Sequence, residues 1–464
     1  MSALVKGSGH AVDMTEGSVV GHLVRFAIPL LLGNLFQQLY NTVDLWVVGR
    51  YVSNAAYSAV GTVTPIINML IGFFLGLASG AGVVISQYYG AKKPDKVRQT
   101  VHTSIVMTLV LGVVLTALGI LIIPTMLQLM KTDLQAVPEA TTYLTIYFSG
   151  MLGLMLYNMG SGVLRAVGDS KRPFYFLVVC ALLNIALDLL FVIGFHMGVE
   201  GVAYATILSQ GVSAVLVLAV LVRGDDFVRL SLKELRASPL ILKQIVRIGI
   251  PAALQMAITS FSNVFVQSYI NVFGLDCMSG WTSCTKIDQF LLLPTQSLAL
   301  AATTFVGQNL GTGQVERAKK GTRAALFLSW GIALGLAAIV LPTAPYLVAF
   351  FNDKPEVVAY GVMFLRLLCP CYVMVCINQI YAGSLRGAGI SQPPTYIMLF
   401  SFVVFRQIYL FVLTNYITNT PLPVAAGYPL GWLMCSVLTL IYYSRVDLAG
   451  SRVVDDPTSM PEKS

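Results

Sequence analysis

Leu164-Arg165-Ala166-Val167-Gly168, with Ser170 and Pro173 behind it, returns as Leu385-Arg386-Gly387-Ala388-Gly389, with Ser391 and Pro394 behind it. Every matched position is displaced by 221 residues. The same displacement carries Gln87 and Gly90 onto Gln308 and Gly311, and Asp95-Lys96 onto Glu316-Arg317. A displacement of 222 carries Pro29 onto Pro251 and Asn41 onto Asn263. The chain is a duplication. Its matched stretches lie at the ends of long apolar runs, so the repeated unit is a bundle of membrane helices, an arrangement used first of all for transport.

Composition agrees. Hydrophobic residues make up 56% of the chain and charged residues 11%, and the mean hydropathy is +0.77; a soluble domain carries roughly 25% charge. About 20 apolar residues cross roughly 30 Å of hydrocarbon. Twelve such runs lie near 19–49, 55–86, 100–130, 139–165, 173–195, 200–222, 243–273, 279–308, 321–351, 357–384, 393–418 and 423–446. The expected fold is therefore an all-α integral membrane protein with twelve transmembrane helices in two six-helix repeats. Six is an even number, so the repeats are parallel, with a pseudo-twofold axis along the membrane normal.

If both termini are cytoplasmic, all of the 29 lysines and arginines fall on that side except Arg50, Lys131, Lys354, Lys286, Arg366 and Arg406. The positive-inside rule then places a multi-pass protein in the plasma membrane. The formal net charge of +8 is accounted for by topology and implies no nucleic acid. The expected organisation is a cytoplasmic tail 1–18, an N-lobe 19–222, a cytoplasmic linker 223–242, a C-lobe 243–446 and a cytoplasmic tail 447–464. Alternating leucines and basic residues in the linker suit either a short interfacial helix or a solvated connector. Gln87 to Gly90 and Gln308 to Gly311 read as helix stops anchored by the basic residues that follow. The first apolar run lacks a secretory cleavage site and reads as a retained span. No phosphate-binding Gly-x-x-x-x-Gly-Lys-Ser/Thr loop is present, so active transport would draw on an ion gradient. The seven cysteines have no metal-ligand spacing; Cys277 and Cys284 flank an expected outward loop.

Ionisable groups at membrane depth are costly and point to function. Asp44, Asp188 and Thr206 each lie six residues from the outer end of their span, roughly 9 Å deep. Asn184 precedes Asp188 by one turn, and Asn41 precedes Asp44 by about one turn. The duplication supplies an internal control: the second repeat carries Phe265 or Val266 at the place of Asp44, and Phe405 and Tyr409 at those of Asn184 and Asp188. The fold does without these acids, so they read as an ion or proton site. A carboxylate pair can share a proton whose binding steps belong to the pair. Oxygens of Asp44, Asn184, Asp188 and Thr206 could equally hold Na⁺. In the second repeat, Lys286, Asp288 and Arg406 are substrate or structural charges, with Arg406 a candidate partner of Asp288. Pro29 and Pro251 permit a kink in the first helix of each repeat.

These features together resemble the multidrug and toxic compound extrusion (MATE) family, in its prokaryotic DinF-like and NorM-like branch. The resemblance covers roughly residues 15–447. It rests on the twelve spans, Pro29 with Asn41 and Asp44, the two helix stops, the two Leu-Arg-x-x-Gly loops and Asn184-x-x-x-Asp188. It implies a secondary active antiporter, not an enzyme, with no cofactor beyond H⁺ or Na⁺ as coupling ion. Such a protein exports small-molecule drugs or toxic cations through a cavity between two lobes. Membrane lipid is the other expected partner, and a monomer the expected state. The resemblance further implies cation coupling at Asp44, Asn184, Asp188 and Thr206, with Tyr143 of span four, and bending of the first helix at Pro29. NorM-like members carry acids in spans seven and ten; here span seven has Gln255, Thr259 and Asn263, and span ten Asn378 and Gln379, which favours the N-lobe site. Alternatives are a lipid-linked oligosaccharide flippase of the same superfamily, or a non-transporting scaffold or receptor.

Overall fold

The computed structural model describes residues 12–455, apart from 130, 131, 133, 135, 225 and 226. Lys6, Lys131, Lys463 and the outer parts of both expected tails lie outside the described residues. Among the described residues there is no strand. The first repeat runs α1 Val19–Tyr51, α2 Asn54–Gly90, α3 Pro94–Leu129, α4 Val137–Ser149, α5 Met151–Ala166, α6 Lys171–Asp188 and α7 Val199–Val222. The second runs α8 Pro239–Asn271, α9 Leu275–Gly311, α10 Val315–Phe351, α11 Pro355–Leu368, α12 Tyr372–Gly387, α13 Gln392–Met398, α14 Arg406–Val412, α15 Pro421–Ala425 and α16 Gly427–Arg445.

Eleven of these helical stretches are long and apolar enough to cross a membrane. The remaining expected span, the fourth at 139–165, is divided at Gly150 into α4 and α5, each too short by itself. Its counterpart divides at the same place, since Cys369–Cys371 forms a single 3₁₀ turn between α11 and α12. The fifth spans match too: wider π-helical turns follow α6 at Leu189–Gly194 and α14 at Leu413–Ile417. A third π-helical stretch, Leu399–Phe405, joins α13 to α14.

The repeated loops show why the motif recurs. Gly168 and Gly389 adopt φ of +90° and +87°, a left-handed conformation that glycine enters without a Cβ clash. In both, the residue after glycine bonds back five positions, Asp169 N–H to Leu164 O at 3.0 Å and Ile390 N–H to Leu385 O at 2.8 Å. This is a Schellman cap, which satisfies the last carbonyls of a helix while reversing the chain. The expected stops also hold, with α2 ending at Gly90 and α9 at Gly311.

Packing divides the chain into two compact units: one contains Ile28–Ile250 with residues 12–13, the other Met14–Ala27 with Pro251–Asp455. The division passes through α1 and α8 beside Pro29 and Pro251, whereas the lobes read from the sequence follow the connector. The linker forms one 3₁₀ turn, Leu232–Glu234, in place of an interfacial helix, and α8 starts at Pro239. It is pinned to α3: Ser231 N–H donates to His102 Nε2 at 3.0 Å and Ser238 N–H to Thr103 Oγ1 at 3.1 Å. The segment before α1 is anchored rather than a loose tail. Met14 N–H donates to Gln308 Oε1 at 3.0 Å, and Met14 O accepts from Asn309 Nδ2 and Arg317 Nη2, each at 3.2 Å. Cys277 and Cys284 do not flank a loop. Both are buried on α9, two helical turns or roughly 10 Å apart, beyond disulfide reach.

Candidate functional site

Four helices of the first repeat bring polar residues together in pairs spaced by four, so each pair shares one helix face. From α1 come Tyr40 and Asp44, from α4 Tyr143 and Tyr147, from α6 Asn184 and Asp188, and from α7 Thr206 and Gln210; all are buried. Asp188 is wholly enclosed and Asn184 is 1% exposed. Apolar side chains close the surroundings, among them Val47, Val48, Leu144, Phe148, Val199 and Val202. The two tyrosine rings of α4 stack with centroids 6.2 Å apart. Asn41, by contrast, lies on the exposed side of α1 and outside this cluster.

The hydrogen-bond accounting is incomplete in a specific way. The Asp44 and Asp188 carboxyl groups are within hydrogen-bonding reach of each other. Yet no described group donates to Asp44 Oδ1 or to either oxygen of Asp188, and both amide atoms of Asn184 are also without partners. Ionised carboxylates only accept, so contact between two of them becomes a bond when a proton is shared or a cation bridges them. Nearby hydroxyls are committed elsewhere: Thr206 Oγ1 donates to Val202 O at 2.9 Å, and Tyr143 reaches Thr206. Tyr147 reaches Gln210. Buried polar atoms without partners are expensive. Five of them fall on these three residues: four oxygens of Asp44, Asn184 and Asp188, and the Asn184 amide nitrogen.

Sequence reading missed Tyr40, Tyr147 and Gln210. A signal existed: each sits four residues from a residue already singled out, Asp44, Tyr143 and Thr206. π-Helical turns begin directly after Asp188, a deviation often found at functional positions.

The second repeat puts different chemistry at the corresponding places. Val266 is buried in apolar packing, and the Tyr409 hydroxyl donates to Pro423 O at 2.9 Å. Arg406 does not pair with Asp288. Its Nη1 donates to Ser262 Oγ at 3.1 Å and Asn263 Oδ1 at 3.4 Å, and its guanidinium lies 4.5 Å from the Tyr428 ring centre and 4.9 Å from that of Phe402. Two aromatic faces hold the cation where a carboxylate was expected, because ring quadrupoles attract a desolvated guanidinium. Asp288 instead lies near Tyr372, and neither its Oδ1 nor the Tyr372 hydroxyl has a hydrogen-bond partner among the described residues. Lys286, two residues earlier, is exposed on another face of α9. Asn378 is tied down by Trp432 O and Ser436 at 3.2 and 3.0 Å.

The MatE family profile matches residues 29–190 and again 251–412, two segments in the register of the duplication. The chain belongs to the MatE family. Relatives of this chain include the probable multidrug resistance proteins YoeA and YpnP of Bacillus subtilis. YoeA is 29% identical, covering 93% of this chain and 95% of its own; YpnP is 30% identical, covering 93% and 96%. An outward-facing multidrug resistance MATE family transporter of the MOP superfamily is similar throughout, with a TM-score of 0.89, 25% identity and coverage of 96% and 99%. The first MatE segment contains Asp44, Asn184 and Asp188, and the second contains Asp288 and Arg406. The protein is thus a multi-pass membrane transporter of twelve spans in two repeats.

Proposed function

We propose that this MatE protein is a secondary active multidrug exporter, an antiporter that moves amphipathic organic compounds outward while H⁺ or Na⁺ moves inward through the Asp44/Asp188 site. The observation carrying this reading is the pair of buried carboxyls within reach of each other, three of whose four oxygens have no donor among the described residues. A cation there supplies what the protein does not. Asn184 and Thr206 add amide and hydroxyl oxygens suited to a hard cation. The relatives named as multidrug resistance proteins support drugs or toxic cations as the cargo.

The one-sided distribution of basic residues supports a plasma-membrane protein with both termini cytoplasmic. In that orientation one pH unit supplies about 1.4 kcal/mol per proton, and 100 mV supplies about 2.3 kcal/mol more per charge. Cation occupancy would change the charge that α1 carries into the first unit, and Pro29 gives that helix a place to bend, since proline removes one backbone bond. The packing division between Ala27 and Ile28 lies beside it.

The test is accumulation of ethidium and norfloxacin in everted vesicles, energised in turn by a pH difference at zero Na⁺ gradient and by a Na⁺ gradient at fixed pH. One or both gradients should drive uptake, and Asp44→Asn and Asp188→Asn should each abolish it while the protein is still inserted. Full activity in both variants would remove the coupling assignment.

A further inference from the structure

α9 meets two different surroundings. One side packs against α10, α11 and α12. The other carries Thr282, Lys286, Gln289 and Gln296, all exposed and separated by four, three and seven residues, so that they align in a single stripe. Phe290, one turn beyond Lys286, is 46% exposed on the same side.

This stripe is incompatible with lipid. Lys286 lies seven residues inside the expected outer edge of its span at 279, roughly 10 Å along the axis, and Gln296 continues the polar line roughly 15 Å deeper. Charged and amide side chains at such depth face a protein interior or a water-filled space, and these are exposed, so the stripe borders water. A lysine that merely stretched to the headgroups would have apolar residues below it. Here Gln289 lies one turn below Lys286, and Gln296 follows two turns further on, past Leu292 and Leu293.

Lys286 also stands alone. Among the described residues it has no ion-pair partner, and Asp288, two positions on, is turned roughly 200° around the helix toward Tyr372. A single uncompensated ammonium on a wet membrane-depth surface, beside an exposed aromatic ring, is complementary to a flat ring bearing a negative group. We infer that Lys286 is a specificity residue on the transport path that favours aromatic compounds carrying a carboxylate. The inference rests on the exporter reading above and narrows its substrate class.

The experiment compares norfloxacin, its methyl ester and ethidium as substrates of the purified protein in proteoliposomes. The wild type should transport the acid with a lower KM than the ester. Lys286→Gln should raise the KM of the acid about tenfold, the scale of one lost charge contact, while the ester and ethidium are unchanged. Lys286→Arg should retain the preference. Because Lys286 has no internal partner to lose, both variants should melt like the wild type. Equal effects on acid and ester, or none on the acid, would overturn the inference and leave the exporter reading intact. Failure of the wild type to transport any of the three under either gradient would overturn the exporter reading itself, and this inference with it.

Discussion

At the level of single residues, the donor-less cluster makes Asn184 the most informative position. Both of its amide atoms are buried without partners, so replacing it by leucine breaks no internal hydrogen bond. Removing an unsatisfied buried amide relieves a cost of about 1–3 kcal/mol. Asn184→Leu should therefore melt at or above the wild-type temperature in detergent, yet lose at least about tenfold in affinity for the coupling cation, equivalent to roughly 1.4 kcal/mol. A variant that melts lower and transports normally would make Asn184 a packing residue. The acids were legible in the sequence because charge at membrane depth is rare, and because the second repeat lacks them. Their tyrosine and glutamine neighbours were less visible, since Tyr40, Tyr147 and Gln210 are common on helices and only the fourfold spacing marks them. The Arg406–Asp288 pairing failed for a physical reason: sequence distance says nothing of aromatic faces, and Tyr428 and Phe402 took the guanidinium.

Among elements, the duplication reaches the closeness of helix crossings. A Cβ on Gly162 would lie 3.2 Å from Ala78 O, and one on Gly383 only 2.6 Å from Ala299 O; both partners are again 221 residues apart. The second helix and the later half of the fourth span thus meet backbone to backbone in each repeat, the close approach that small residues permit in membranes. Gly383→Ala should destabilise the protein by about 1–3 kcal/mol through overpacking. Gly335 has nothing within 4 Å of its Cβ position, so Gly335→Ala should stabilise α10 by about 0.5–1 kcal/mol through lower chain entropy. Denaturant unfolding of both variants in detergent tests the contrast; equal losses would contradict it. Apolar runs disclosed the spans, but the break at Gly150 and the π-helical turns left no periodic trace, because both alter backbone hydrogen bonding without altering hydropathy.

For the whole molecule, the connector announced two halves in the sequence, but packing draws the boundary elsewhere. Met14–Ala27 belong with the second unit and the residues from Pro239 to Ile250 with the first. Hydropathy cannot register this, since a helix looks the same whichever neighbours it has. If the chain is cut in the linker after Arg229 and both pieces are produced together, each piece retains a segment that the other's unit needs. The pieces should co-purify and sustain efflux, whereas either piece alone should fail to accumulate; independent accumulation of one piece would contradict the packing division.

That exchange of leading turns also bears on ancestry. A lone repeat, before duplication and fusion, would have lacked the opening segment that completes its own bundle. The smallest self-sufficient predecessor would then be two identical chains that exchange their first turns. Fusion end to end would keep that exchange within one chain.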